Sequence, residues 1–195
     1  MKGKKRERII RILLNHPRGE LSIYRIAKLA DCSHVWVIKF LRKLELMNLI
    51  KGTRVVSTKE LFDYWIKLNP HPSFKEYNLQ EPLKFLATTS LTYALTTYYA
   101  ESFTQNYLFP TRVDIYIEDQ DQQKWHEVLT ERGLVGKGNF RVVIDDSHVF
   151  YNSKKINKYF YIVSIPQLIF DLLREQGVAA EAAGLLLQRN YHDII

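Results

Sequence analysis

The chain of 195 residues is 46% hydrophobic and carries a formal net charge of +7. A hydrophobic fraction of this size supports a folded core and excludes an intrinsically disordered chain, while the length suits one large domain or two small ones. Cys32 is the only cysteine, which excludes a disulfide framework and a cysteine zinc cage within one chain.

The first predicted element is an amphipathic helix in the basic stretch "MKGKKRERIIRILL". Pro17 and Gly19, in the "NHPRG" that follows, end this helix. Its apolar residues recur at helical intervals and are Ile9, Ile10, Ile12, Leu13 and Leu14. Because no uninterrupted apolar segment follows the cations, we expect neither a signal peptide nor a membrane span, and we expect a cytoplasmic protein.

Two further helices are predicted between residues 22 and 48, with a turn at "DCS" between them. Ser22 suits the N-cap of the second helix and Ser33 that of the third, because a serine hydroxyl accepts a hydrogen bond from the first helical turn. The apolar side of the third helix consists of Val37, Phe40, Leu41 and Leu44. The residues left on its outer side are His34, Val35, Ile38, Lys39 and Arg42, with Trp36 near the edge.

The stretch "LIKGTRVV" predicts two short strands around a turn at residues 51–54, where Gly52 supplies a flexible backbone. "STKELFDYWIKL" predicts a fourth helix, because Ser57 and Glu60 have the spacing of a capping box. "NPHPS" contains two prolines and no apolar residue, so we place a boundary there. The prediction is an N-terminal domain of residues 1–69, a linker of residues 70–82 and a C-terminal domain of residues 83–195.

The cations are concentrated in the first part of the chain. Residues 1–75 contain 17 lysines and arginines against 6 aspartates and glutamates, whereas residues 76–195 contain 11 against 15. This imbalance is expected of a protein in which one part meets a polyanion and the other part has a different task.

Three helices followed by a hairpin, in this order and with these lengths, are the elements of a winged helix-turn-helix. The stretch "VWVIKFLRKLELMNLI" resembles the recognition helix of winged-helix transcription regulators, which ends in the pattern Leu-Glu-x-x-Gly-Leu-Ile. Asn48 stands in place of the glycine, and asparagine also accepts a left-handed turn. The resemblance implies that the third helix lies in the major groove of double-stranded DNA.

The predicted DNA-contacting residues lie on two helices and on the hairpin. Those on the third helix and its cap are Ser33, His34, Trp36, Ile38, Lys39 and Arg42. Those on the second helix and the hairpin are expected at the phosphate backbone or, for the hairpin, in the adjacent minor groove, and are Ser22, Arg25, Lys28, Lys51, Thr53 and Arg54. Winged helices also serve as protein-binding modules, so a protein-interaction adaptor stays open as an alternative, which the apolar Trp36 and Ile38 favour.

The second half mixes strands and helices without a strict βαβ rhythm. The predicted fold class is therefore α+β, with an N-terminal winged helix-turn-helix followed by a mixed α+β domain. "TRVDIYIED" predicts a half-buried strand with Val113, Ile115 and Ile117 on its buried face. The other predicted strands are "FRVVID" and "KYFYIVS", with a short extended piece at "HVFY". The predicted helices are "SLTYALTTYYAESF", "QDQQKWHEVLTERGL", "IPQLIFDLLREQG" and "VAAEAAGLLLQRN".

The stretch from Leu91 to about Gln188 resembles the C-terminal domain of AbiEi-type antitoxin regulators of type IV toxin–antitoxin systems. The resemblance depends on "LTYALTTYYAESF", "TRVDIYIEDQD", "VVIDDSHVFY" and "YIVSIPQLIFDLLREQGVAAEAAGLLLQ". Its most specific positions are Ser164, Pro166, Gln167, Asp171, Leu172 and Ala182–Ala183. Thr96 and Thr97 depart from the family, which has smaller residues there. The resemblance implies a repressor of its own operon and a nucleotidyltransferase-like toxin encoded by a neighbouring gene, without implying direct contact with that toxin.

The strand "VDIYIE" also resembles the acidic strand of nucleotidyltransferases, which hold two Mg²⁺ ions with carboxylates two residues apart. Asp114 is followed at this spacing by Tyr116, and the preceding "LATTSLTYAL" lacks a glycine for a phosphate-binding turn. The adjacent pair Asp145–Asp146 is expected to make a turn. We therefore predict no catalytic residue, no metal site and no cofactor, and we keep a degenerate nucleotidyltransferase as the second alternative.

Aromatic residues exceed what a small core needs. We consider a homodimer as a further interpretation, with Trp65 and the aromatic helices of the second half at the interface.

Overall fold

The structure, a computed structural model, describes residues 2–69 and 73–194, with side chains from residue 4 onward. The chain divides into two compact units, Met1–Pro70 together with Gly184–Ile195, and His71–Ala183. Helices and a seven-stranded mixed sheet make up the fold, so the predicted α+β class is confirmed. Within the described ranges, no helix is long and apolar enough to cross a membrane.

The first unit contains three helices, a two-stranded hairpin and a fourth helix, in the order that the sequence predicts. They are α1 (Lys2–Asn15), α2 (Ile23–Leu29), α3 (His34–Leu46), β1 (Ile50–Lys51), β2 (Arg54–Val55) and α4 (Thr58–Leu68). Strands β1 and β2 pair antiparallel, and Gly52 in the turn has a φ of 64°, which glycine adopts without a steric penalty. The predicted turn at residues 51–54 is therefore confirmed.

Serine side chains begin three of these helices. The Oγ atoms of Ser22, Ser33 and Ser57 each accept a hydrogen bond from the backbone N–H three residues further along the chain, over 3.2, 3.4 and 3.4 Å. Each cap satisfies a donor that a helix leaves without an internal partner, which stabilises the helix by about 1 kcal/mol. The predicted helix starts follow from these local hydrogen bonds.

The core of the first unit is formed by the predicted apolar stripes. The five stripe residues of α1 are at most 2% exposed, and the four apolar residues of α3 are buried as well. Trp65 on α4 is fully buried, and its Nε1 donates a hydrogen bond to Glu7 over 3.3 Å. The interpretation of Trp65 as part of a dimer surface is therefore wrong, because its ring packs inside its own unit.

The second unit is built on a sheet with helices packed against it. Its strands are β3 (Phe74–Leu79), β4 (Ala94–Thr96), β5 (Val113–Glu118), β6 (Gly133–Val135), β7 (Phe140–Asp145), β8 (Lys154–Ile156) and β9 (Phe160–Ile162). Its helices are α5 (Pro82–Thr88), α6 (Thr97–Thr104), α7 (Gln122–Thr130), α8 (Ile165–Glu175) and the start of α9 (Gly177–Tyr191). Short 3-10 turns occupy Asp119–Asp121 and Ser147–Phe150.

The strand order is β6-β3-β7-β5-β4-β9-β8. Strands β5 and β7 are parallel, as are β4 and β9, and the other neighbours are antiparallel. Helices α6 and α8 pack against each other and contact β4. The aromatic rings of Phe85 on α5 and Trp125 on α7 meet edge to face, with centroids 6.0 Å apart. Strand β5 lies at the centre of the sheet, between β7 and β4.

Several elements of this unit differ from the prediction. Residues 74–79, placed in the linker, form β3, and Tyr77 and Leu79 are buried on one of its faces. Residues 70–72 of that linker lie outside the described ranges. The helix predicted in "SLTYALTTYYAESF" begins only at Thr97, because residues 94–96 pair with neighbouring strands as β4. The extended piece at "HVFY" is a 3-10 turn.

Strand β5 is buried on both faces, although alternation predicted one buried face. Asp114 is 1% and Tyr116 2% exposed, as little as the neighbouring Val113, Ile115 and Ile117. Both polar side chains lie on the sheet face that α8 covers, where Tyr116 bonds to Asp171 of α8. The polar residues of β5 alternate with the apolar ones because one buried face of the strand is polar and the other is apolar. A sequence pattern does not distinguish a buried polar face from a solvent-exposed one.

Residues 184–194 belong to the first unit, although the sequence places them in a C-terminal domain of residues 83–195. Helix α9 gives residues 177–183 to the second unit and residues 184–191 to the first. Tyr191 is 3% exposed, its hydroxyl donates to the carbonyl of Leu14 over 2.8 Å, and its ring meets Phe62 edge to face at 6.1 Å. A continuous helical pattern gives no sign that its two halves are buried in different units.

Asn48 has the left-handed conformation that its position after α3 predicts, with a φ of 56°. We expect Asn48→Ala to lower the free energy of unfolding by about 1 kcal/mol, since a β-carbon is strained in this region of backbone space. Urea unfolding of the full chain measures the change. Asn48→Gly is the control and should match or exceed the wild-type stability, and equal losses for both variants would exclude backbone strain as the cause.

Candidate nucleic-acid interface

The outer side of α3 presents a row of exposed side chains. Val35, Lys39 and Arg42 recur at intervals of four and three residues, so they lie along one face over two turns of the helix. All three are exposed, as is His34, whereas Val37 on the opposite side is fully buried. The structure therefore brings Lys39 and Arg42 together on the outer face, as their spacing predicts.

Helix α2 presents Arg25 and Lys28, which are exposed and one turn apart. The predicted backbone-contacting serine of this helix, Ser22, uses its hydroxyl oxygen to cap the helix. The oxygen of Ser33 is engaged in the same way at the start of α3. Both serines thus fix the first turns of the helices that carry the cations.

The hairpin carries the remaining predicted cations. Lys51 and Arg54 are cross-strand partners and both are exposed, so the structure brings their side chains to neighbouring positions. Thr53 is half-buried, and its hydroxyl donates to the carbonyl of Gly19 over 3.4 Å. Thr53 therefore anchors the turn to the segment before α2.

Glu45, the glutamate of the Leu-Glu-x-x-Gly-Leu-Ile pattern, was not among the predicted site residues and joins the hairpin to α3. Its Oε1 accepts a hydrogen bond from the backbone N–H of Gly52 over 2.6 Å. The contact spans seven residues and holds the turn of the hairpin beside the end of α3.

Trp36 is packed within the first unit. Its ring centroid lies 5.6 Å from that of Phe40, which lies 6.4 Å from that of Tyr64 on α4. Trp36 and Ile38 are both half-buried. Their apolar surface is thus partly used for internal packing, which leaves less of it to contact a partner than an outward position on α3 suggests.

Arg18 is a cation beside the hairpin that the sequence did not identify. Its backbone forms an isolated bridge with Arg54, which places it next to β2. Its guanidinium pairs with Asp193 over 2.9 Å, and its side chain stays 68% exposed. Asp193 lies far away in the sequence, so no local pattern around "NHPRG" indicates this pair.

The other predicted cations of this surface are exposed. Among the residues that the structure describes, no carboxylate forms an ion pair with Arg25, Lys28, Lys39, Arg42, Lys51 or Arg54. We call these six residues the basic face. Exposed charges of one sign without counter-charges create a positive potential that attracts an anion.

The acidic strand β5 of the second unit is engaged in internal contacts. Arg112 donates to both carboxylate oxygens of Asp114, over 2.5 and 2.9 Å, and Thr97 donates to the same carboxylate. Burial raises the pKa of Asp114, and the neighbouring Arg112 opposes this change. A carboxylate that is 1% exposed and already bound by a guanidinium has no free side for a substrate.

Tyr116 stands where a nucleotidyltransferase has its second carboxylate, and it holds a buried carboxylate of α8. Its hydroxyl donates to Asp171 over 2.7 Å, and Thr96 and Gln167 donate to the same carboxylate over 2.5 and 3.0 Å. Burial raises the pKa of Asp171 to about 6, although Arg174 and these donors oppose the rise. The cluster links the centre of the sheet to α8 through one ionisable group.

The expected turn at Asp145–Asp146 is present. The carboxylate of Asp146 accepts a hydrogen bond from the backbone N–H of His148 over 3.0 Å and begins a 3-10 turn. In residues 2–69 and 73–194, no three His, Cys, Asp or Glu side chains are grouped so that they could hold a metal ion.

Comparisons of this chain with protein-family models, with curated proteins and with solved structures found no match.

Proposed function

We propose that this chain is a DNA-binding transcription regulator whose first unit is a winged helix-turn-helix. In this proposal α3 is the recognition helix, α2 precedes it at the phosphate backbone, and the β1–β2 hairpin is the wing. The observation that carries the proposal is the basic face, since its six exposed cations lie on these three elements and form no ion pair with any described carboxylate. Neutralising several phosphates supplies most of the affinity of a protein for duplex DNA.

The architecture around these cations supports the same function. A helix of ordinary diameter fits the major groove, and its outer residues reach base edges from there. Lys39 and Arg42 lie on the outward face of α3, and the hydrogen bond from Gly52 to Glu45 fixes the hairpin beside the end of that helix. Because this hydrogen bond fixes their arrangement, α3 and the hairpin can contact the duplex at a constant distance from each other.

We propose that the second unit is regulatory and does not catalyse a reaction. The resemblance to AbiEi-type antitoxin domains supports a repressor of its own operon, paired with a toxin from a neighbouring gene. The contacts of Asp114 and the presence of Tyr116 at the second acidic position favour this over an active nucleotidyltransferase. The internal packing of Trp36 weakens the case for a protein-interaction adaptor, because it leaves less of this apolar ring for a partner.

The proposal predicts a steep salt dependence of duplex binding that depends on α3. Fluorescence anisotropy of a short labelled duplex, titrated with the full chain at several salt concentrations, measures it. In the double variant Lys39→Ala, Arg42→Ala we expect affinity to fall by roughly tenfold or more, and the slope of log affinity against log salt to become shallower, because two cations next to the phosphates are removed.

A matched control removes the same charge from the second unit. Lys124→Ala with Lys137→Ala takes two exposed cations away from α7 and the β6–β7 connection, so its salt slope should stay at the wild-type value. Identical slopes for the two double variants would mean that the net charge of the chain, rather than α3, attracts the duplex. Absence of salt-dependent duplex binding by the wild-type chain would overturn the proposed function.

A further inference from the structure

The first exposed turn on the outer face of α3 carries an apolar side chain, Val35, at a position where a surface that binds only phosphates would carry a polar one. Val35 lies in the first turn of α3 and is 62% exposed. It precedes Lys39 by one turn and Arg42 by two on the same face. Exposure of a valine to water costs free energy that burial against an apolar partner recovers, at roughly 25 cal/mol per Å².

Internal packing does not account for Val35. The core residues of α3 lie on the opposite side of the helix, where Val37, Leu41 and Leu44 are at most 3% exposed. Trp36, the neighbouring aromatic residue, turns towards Phe40 instead. Within the described residues, Val35 therefore stays at the surface as an apolar group beside cations.

The charges around Val35 restrict what its partner can be. An apolar spot next to unpaired cations fits a partner that has apolar groups set between rows of negative charge. The major groove of DNA has this arrangement, because the C5-methyl group of thymine projects into a groove bordered by phosphates. Residues at the start of a recognition helix are those that reach base edges.

We propose that Val35 reads thymine by packing against its C5-methyl group, so that the DNA site contains a required thymine opposite the start of α3. This inference rests on the proposed function. The flanking cations bind phosphates without regard to sequence, whereas Val35 discriminates thymine from cytosine, whose corresponding edge lacks the methyl group and carries an amino donor. Val35 is thus a specificity-determining residue.

The test replaces thymine by deoxyuridine, which removes the methyl group and keeps every hydrogen-bonding atom. A duplex is first selected from a randomised pool by binding to the full wild-type chain. Each thymine of the selected duplex is then replaced in turn, and affinities are measured for the wild type and for Val35→Ala. We expect one or two replacements to weaken wild-type binding by roughly fourfold each, the value of one buried methyl group, and the same replacements to leave Val35→Ala binding unchanged.

Two further variants separate shape from position. Val35→Thr keeps the branched shape and should retain part of the discrimination, and Val178→Ala removes an equally exposed valine of α9 and should behave as the wild type. Wild-type affinity that is the same for all deoxyuridine duplexes, or that falls equally in Val35→Ala, would overturn the inference and leave the proposed function intact. If the wild-type chain selects no duplex, both the proposed function and this inference are overturned. The face formed by Val35 and the cations would then fit an acidic protein as its partner.

Discussion

Replacing Tyr191 by alanine will lower the free energy of unfolding of the first unit by about 3 to 5 kcal/mol, the usual cost of deleting a buried aromatic side chain. The residue is 3% exposed and supplies both a ring contact to Phe62 and a hydrogen bond to Leu14. Hydrogen exchange followed peptide by peptide measures the effect, because the amides of α1 and α4 report on this unit alone. Faster exchange should appear there and leave β5 and α8 unchanged.

Two controls define the origin of this loss. Tyr191→Phe keeps the ring and removes the hydroxyl, so we expect a loss of about 1 kcal/mol. Tyr24→Ala removes a tyrosine of the same unit that is 70% exposed, and its effect should stay within about 0.5 kcal/mol. If Tyr191→Ala left the exchange of α1 and α4 at the wild-type rate, residues 184–194 would not be part of this unit.

The second large effect is expected at Asp171. Asp171→Ala leaves the buried donors of Thr96, Tyr116 and Gln167 without their shared acceptor, and we expect the second unit to lose roughly 3 to 5 kcal/mol. Asp171→Asn retains an acceptor oxygen and the shape of the side chain, so its loss at neutral pH should be far smaller. Exchange of the amides of β5 and α8 reads this change separately from the first unit.

The same residue predicts a pH dependence. Its pKa of about 6 in the fold is above that of an exposed aspartate, so the folded unit binds this proton more tightly than the unfolded chain does. The contribution of Asp171 to the free energy of unfolding is therefore complete below about pH 4 and is lost as the pH rises through about 6. The difference amounts to an order of 2 to 3 kcal/mol.

Comparison of the wild type with Asp171→Asn over this pH range isolates the contribution. The variant has no proton to lose there, so the difference in unfolding free energy between the two chains should shift in favour of the variant between pH 4 and 7. A difference that stays constant with pH would show that Asp171 titrates as an exposed aspartate does, and that burial does not raise its pKa.

Local sequence signals predicted the first unit well. Its helix starts depend on serines that bond three residues along the chain, its turn on Gly52, and the end of α3 on Asn48 in a left-handed conformation. Each of these is decided by neighbours in sequence, which is what a pattern contains. The exposed cations of α2, α3 and the hairpin were predictable for the same reason.

Long-range contacts decided what the sequence did not predict. Strand β3 pairs with β6 and β7, which lie more than fifty residues away, so its short alternation around Tyr77 was insufficient to identify it. Asp114 and Tyr116 look solvent-facing until α8 supplies Asp171 above them. The contacts of Arg18 with Asp193 and of Tyr191 with Leu14 join opposite ends of the described chain.

The membership of residues 184–194 in the first unit has a consequence for synthesis. Tyr191, which covers Leu14 of α1, is synthesised only after the residues of the second unit. At roughly 5 to 20 residues per second, the interval between the synthesis of Leu14 and that of Tyr191 is on the order of ten seconds. The unit begun earliest during translation is thus completed last. A nascent or prematurely stopped polypeptide without residues 184–194 therefore leaves Leu14 and Phe62 without the ring and the hydroxyl of Tyr191, and the core of the first unit is incomplete.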